Sequence, residues 1–288
     1  MKALASTHIA RVMVSGVTAC ASIWLCAVLV LWFGESWLVF RTDLSRAYTA
    51  SLDRSVFATI SLTAVDGARL DAVTLSHRDD RDRYWVLFFP PAGGSTQVAM
   101  IQGQLKKLWE LGYHVLACDY HGFGGSPGSP TEQGLYADGM VAYRYLSEER
   151  GVSAARIILS GRSLGAAVAV EVATRVPAAG LLLFAPIDSV PGVGSRLFPW
   201  APVRLLATHR FDASARAPLV DVPVVVVHGH PDRMMRPSNT RSLLEAFRGP
   251  KRLLETGGGH HHAGFTDVGD LYRAMREFWP VRGASAPL

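Results

Sequence analysis

A chain of 288 residues, 49% hydrophobic and 18% charged, carries enough apolar material for a sizeable core and is not a disordered polymer. The formal charge of +5 is modest, and the arginines are scattered without a basic block or aromatic–basic alternation, which excludes a nucleic-acid groove as the expected role. Cys20, Cys26 and Cys118, the three cysteines, offer neither a disulfide framework nor metal-ligand spacing and read as small packed hydrophobes, so the redox compartment stays open.

The N-terminal segment comes first in chain order. Residues 12–34, between Arg11 and Glu35, hold no charge, and Trp24, Leu25, Val28–Leu31, Trp32 and Phe33 are strongly apolar. As a helix this stretch spans roughly 34 Å, enough for a bilayer core. A cleaved signal peptide is the competing reading. The apolar run is longer than a usual signal core, and Trp32-Phe33-Gly34-Glu35-Ser36-Trp37 offers no small-x-small cleavage site. Val17-Thr18-Ala19-Cys20 faintly resembles a lipoprotein box, but the segment after Cys20 is still apolar. An uncleaved single-span anchor over residues 1–41 is therefore expected, followed by one domain over 42–288. Lys2, Arg11 and the free amine flank one side; Arg41 and Arg46, offset by Glu35 and Asp43, flank the other. The short N-terminal tail favours N-inside, with the domain on the extracytoplasmic face.

Residues 42–55 read as loop or short helix. A hairpin follows, with strands over 57–62 and 70–75 around Asp66-Gly67. Strands and helices then alternate: strand 84–89, helix 97–111, strand 113–118, helix 134–149, strand 157–160, helix 164–175, strand 180–184, strands at 222–227 and 252–255, and a helix over 265–278. Such alternation, with β-branched runs like Val224–Val227, predicts an α/β fold with a mostly parallel central sheet and helices on both faces. Residues 187–219 lack a clean period and are rich in proline. They read as a short cap, partly helical around Pro202–Arg210.

The chemistry-bearing motif is Gly161-Arg162-Ser163-Leu164-Gly165, placed between the apolar strand Ile157–Ser160 and the small-residue run Ala166–Val170. A strand, then G-x-S-x-G, then a helix holds the serine hydroxyl up at the C-terminal edge of a sheet on a strained turn. Acyl transfer also needs a base and an acid that orients it. Asp232 follows the strand 222–227, and His260 lies in the glycine-rich Gly257-Gly258-Gly259 loop before the last helix, so Ser163, Asp232 and His260 come in that order at successive strand ends.

These residues, with Cys118-Asp119-Tyr120-His121-Gly122-Phe123-Gly124-Gly125-Ser126 and Gly128–Asp138, resemble the α/β-hydrolase superfamily, and more narrowly its membrane-anchored, serine-aminopeptidase-like branch. The resemblance covers roughly residues 55–280. It implies an α/β-hydrolase fold and a triad of Ser163, Asp232 and His260, with His261 in reserve because of the run His260-His261-His262. It also implies an oxyanion hole from the Ala92 and Leu164 amides, with Asp119, Gly122 and Gly124 shaping the neighbouring loop. Where the branch carries His-Gly after the strand, this chain has Pro90-Pro91-Ala92-Gly93-Gly94. Two prolines remove two N–H donors, but Ala92 keeps its own.

The expected function is a membrane-anchored serine hydrolase cleaving an ester, thioester or amide, peptides being the less favoured amides. The substrate is a small-molecule, acyl or lipid compound. The anchor and the cap residues Leu197, Phe198, Trp200, Leu205 and Leu206 point to a lipophilic one, although ordinary cap packing needs the same residues. No cofactor is called for. His228, His230, Asp232 and the triple histidine raise a metal alternative, but consecutive loop residues rarely converge on one centre and no H-x-x-x-H spacing is present. A different class, an inactive hydrolase-fold binding protein tethered to the membrane, is motivated by Pro90-Pro91.

Overall fold

The computed structural model describes residues 2–47, 51–78, 83–232, 234–257, 259 and 268–281. Helix α1 (Lys2–Phe33) contains one stretch, Met13–Phe33, long and apolar enough to cross a membrane, with mean hydropathy 2.2. Gly34 separates it from α2 (Glu35–Phe40). Arg41, in the left-handed region at φ 50°, turns the chain into α3 (Thr42–Ala47).

Eight strands form one sheet: β1 (Ala58–Thr63), β2 (Arg69–Leu75), β3 (Trp85–Phe89), β4 (His114–Cys118), β5 (Ile157–Arg162), β6 (Gly180–Phe184), β7 (Val224–Gly229) and β8 (Lys251–Thr256). Their order is β1-β2-β4-β3-β5-β6-β7-β8; β1–β2 and β2–β4 are antiparallel, and all later pairs are parallel. The β1–β2 hairpin closes through Ala64 N–H to Ala68 O, with the Asp66 carboxylate accepting from Ala68 N–H.

Side chains alternate across the sheet, as a period of two requires. Leu87, Phe89, Leu159, Leu181, Leu183, Val224 and Val226 face one core, shared with α5 (Glu132–Arg144), α6 (Leu164–Ala173) and α10 (Pro237–Ala246). Val86, Phe88, Ile158, Leu182, Phe184, Val225 and Val227 face the other, closed by α4 (Ala99–Glu110) and α11 (Val268–Phe278). Each fully buried Val, Leu or Phe contributes about 1.5–3 kcal/mol, so two filled faces hold the central strands firmly. Edge strand β8 is more exposed than the five strands between β2 and β8.

The expected elements appear with shifted ends. Helix α5 begins at Glu132 because Thr131 caps it, accepting from Gly134 N–H at 3.0 Å, and it changes to a π turn over Tyr145–Glu149. Strand β7 starts at Val224 because Pro223 has no N–H for the ladder. Helix α10 was not expected: Pro237 starts it, but its buried face is little more than Thr240, Leu243 and Leu244, too thin a stripe to read as a period. Between β6 and β7 the chain forms three short helices, α7 (Val190–Leu197), α8 (Val203–Leu206) and α9 (Ala213–Arg216), of which only α8 falls in the stretch expected to be helical.

Candidate active site

Ser163 stands between β5 and α6 at φ 51°, ψ −113°, a conformation that costs a non-glycine residue about 1–3 kcal/mol. Its surroundings over-determine it. Ser163 N–H donates to Phe184 O at 2.9 Å, and β5 runs two residues further than expected, pairing Arg162 with Phe184. A Cβ on Gly161 would lie 2.1 Å from Gly165 O, and one on Gly165 would lie 2.1 Å from Phe89 O. Strand and helix approach this closely only because both positions are glycine. Leu164 is the first residue of α6, so its N–H has no partner within the helix and is available beside the serine.

Opposite the elbow lies the loop after β3. Pro91 O accepts from Gly94 N–H, Pro90 O accepts from the Tyr120 hydroxyl, and Gly93 takes φ 67°. The two prolines thus shape a tight turn, with Ala92 at its tip in the wall of the same cavity as Ser163 and Leu164. Residues near the N-terminus brace this turn, a role no sequence signal announced. Gly93 N–H donates to Phe40 O at 2.9 Å, and the Leu44 side chain packs where a Gly93 Cβ would be. Ser95 Oγ donates to Ser45 O, and Gly124 N–H to Ser45 Oγ. The Asp119 carboxylate accepts from Thr96 N–H at 2.7 Å and Thr96 Oγ1 at 3.0 Å, fixing the base of the turn; burial pushes this carboxyl up to about 7.

Asp232 lies on the loop after β7 and is buried, its Oδ1 accepting from Met234 N–H at 2.9 Å and Met235 N–H at 2.8 Å. Asp188, on the loop after β6, is the other acid nearby. Arg196, Asn239 and the Ser189 amide donate to it and hold it below the ordinary carboxylate range. His228 is also engaged: Nε2 faces Met235 O and Nδ1 faces the Thr240 hydroxyl, each at 3.0 Å. His260 and His261, the expected base and its reserve, lie outside the described residues. Among the described residues no group of three or more His, Cys, Asp or Glu could hold a metal ion.

Arg162 precedes the serine and is buried, its Nε donating to Gln104 Oε1 at 3.1 Å and its guanidinium lying over the Phe184 ring. Burial pulls its pKa down to about 10, with the charge of Asp232 acting in the opposite sense. It therefore stays cationic at neutral pH. An arginine within G-x-S-x-G was the only clue to it in the sequence.

Ser163 faces a cavity of about 860 Å3. Of the described residues lining it, only Glu35, Arg41, Arg162 and Ser163 carry charged or hydroxyl side chains. Leu197, Phe198 and Leu206, between β6 and β7, line it, whereas Leu205 is 85% exposed and Trp200 is not among the lining residues.

Residues 91–209 match the family described as serine aminopeptidase, S33. An uncharacterised protein of Mycobacterium tuberculosis is 32% identical over 253 residues, covering 87% of this chain and 89% of its own. Human alpha/beta hydrolase domain-containing protein 17B is 31% identical over 169 residues, covering 56% of each chain, so the match spans about half of that relative. Among solved structures, an esterase of Pyrococcus furiosus superposes with a TM-score of 0.66 at 17% identity, covering 81% of this chain and 94% of its own. An alpha-beta hydrolase of Vibrio vulnificus gives 0.66 at 18%, covering 86% and 91%. Sheet order, elbow and relatives agree, and the chain is a hydrolase belonging to the α/β-hydrolase superfamily.

Proposed function

We propose that the protein is a membrane-anchored serine hydrolase that cleaves a lipophilic ester, thioester or amide through an acyl-enzyme. Ser163 Oγ attacks the substrate carbonyl while His260 takes its proton, and the tetrahedral oxyanion rests on the Ala92 and Leu164 amides. His260 then returns the proton to the leaving group, and a water, activated by the same imidazole, releases the acid and restores Ser163. Asp232 holds the imidazole in the required tautomer and stabilises its charged form.

The observation that carries this reading is the strained Ser163 elbow, which opens with the Ala92 turn and the first amide of α6 onto one apolar cavity. The two amides at Oδ1 of Asp232 support a fixed acid, while the engagement of Asp188 by Arg196 argues against it as the alternative. Residues 1–41 serve as the anchor, with the domain extracytoplasmic and residues 187–219 as a cap over the site. The apolar lining of the cavity supports a lipophilic substrate.

A fluorophosphonate probe tests the chemistry. The full chain is expected to label covalently, and Ser163→Ala to abolish labelling and lower ester turnover by about a millionfold, the scale seen when such a nucleophile is removed. A folded wild-type protein that neither labels nor turns over esters would establish the tethered binding protein instead.

A further inference from the structure

The end of α1 does not merely lead to the domain. Val28 is buried, and with Leu31 and Trp32 it lines the same cavity that holds Ser163. The opposite face of the same turns points outward, with Val30 72% and Phe33 77% exposed. A helix whose sole task was to cross a bilayer would have no reason to turn one stripe into the active-site cavity. The cap supplies the facing wall through Val193, Leu197 and Leu206.

Hydrogen bonds fix the two walls to one another. Trp24 Nε1 donates to Trp200 O at 3.0 Å, and the Glu35 carboxylate accepts from the Thr208 and His209 amides. Anchor and cap therefore form one frame around an apolar space continuous with Ser163.

We infer that this space between the end of α1 and the cap is an acyl-chain site, and that it takes a long acyl chain directly from the bilayer in which α1 is embedded. This rests on the serine-hydrolase reading above. The occupant is the acyl group of a membrane-resident ester or thioester. A cavity of about 860 Å3 is far larger than a short ester fills, and its lining offers a chain methylenes' worth of apolar contact with few polar groups to satisfy. The membrane segment is then a specificity element of the enzyme as well as its tether. Trp32, at the end of the span, lies where the chain passes from lipid into protein.

The experiment uses the full chain in lipid nanodiscs with p-nitrophenyl acetate, octanoate and palmitate. Each methylene that enters an apolar site adds up to about fourfold in kcat/KM, so wild type is expected to favour the long esters strongly. Leu31→Trp fills the space and is expected to lower the palmitate-to-acetate ratio at least tenfold. Val30→Trp, one residue away on the outer face, is expected to leave that ratio unchanged. Equal effects of the two variants, or none from either, would overturn the inference. A measurement without catalysis separates it from failure of the chemistry: in Ser163→Ala, a diazirine-bearing palmitic acid should photolabel Val190–Leu197 competably with palmitate. That labelling should be lost on adding Leu31→Trp. If wild type turns over no ester but the photolabelling holds, the hydrolase reading falls and the acyl site stands; absent labelling overturns the site.

Discussion

At Ser163 two glycines decide whether the backbone conformation exists at all. Gly165→Ala would set a methyl 2.1 Å from Phe89 O and 2.5 Å from Pro90 O, both backbone atoms of a central strand and the turn after it that cannot swing aside. The elbow must move, at a cost of about 1–3 kcal/mol, and probe labelling per folded molecule is expected to fall with it. Gly103→Ala is the counterpart, in the middle of α4 with nothing within 4 Å of the new methyl. It should stabilise the fold by about 0.5–1 kcal/mol and leave labelling unchanged; thermal unfolding and labelling of both variants check the pair. Asp119 gives a test in pH. Folded, its carboxyl keeps its proton up to about 7, whereas an exposed carboxyl releases it near ~4. The folded state thus binds the extra proton between those values, so this contribution to stability is full below pH ~4 and lost as pH rises through about 7. Asp119→Asn cannot titrate, and the melting temperature of the variant relative to wild type should rise from pH 5 to about 7 and then level off. A difference that stays constant would show that the carboxyl ionises normally.

The short helices α2 and α3 do more for the site than their length announces. Phe40 is buried edge-on against Phe211 and His209, and its carbonyl holds the Gly93 amide of the turn after β3. Phe40→Ala leaves a cavity that costs about 3–5 kcal/mol, and by freeing the Gly93 turn it should also lower kcat about tenfold for the protein that remains folded. Lost stability with undiminished turnover per folded molecule would mean that α2 braces the fold and not the turn. This contact also marks what the sequence could disclose. The β1–β2 hairpin, the buried β3 to β7 strands and the elbow were legible because each rests on a local pattern: Asp-Gly between alternating strands, apolar runs, G-x-S-x-G after a strand. Pro90-Pro91 was read as a lost pair of donors, while the structure uses it as a turn whose shape depends on Phe40, some fifty residues earlier. Helix α10, with its thin apolar stripe, and the two unforeseen cap helices take their form from the surfaces they cover. No local period encodes such long-range partners.

At the scale of the whole molecule, the apolar N-terminal segment admits two fates with opposite consequences for the cavity. A signal peptide cut after Val28 would remove Val28 and, with Trp24, the Trp24–Trp200 hydrogen bond, leaving the Ser163 cavity open on one side, whereas a cut after Ala19 would leave both in place. An anchor keeps both. The frame that Glu35 makes with Thr208 and His209 begins within two residues of the last apolar turn, so an anchored domain would be held close to the span with no long tether between them. Leu197, Trp200 and Leu205 between β6 and β7 are also exposed, an arrangement that suits a lipid interface. The protein isolated from membranes is therefore expected to have the intact mass of the uncleaved chain and to resist extraction by carbonate at pH 11 and by 1 M salt, with detergent alone releasing it. A mature form lacking the first twenty to thirty residues, or release by carbonate, would make the segment a transient signal. A cut after Val28 would in addition take part of one wall from the Ser163 cavity and oblige it to receive its substrate from water.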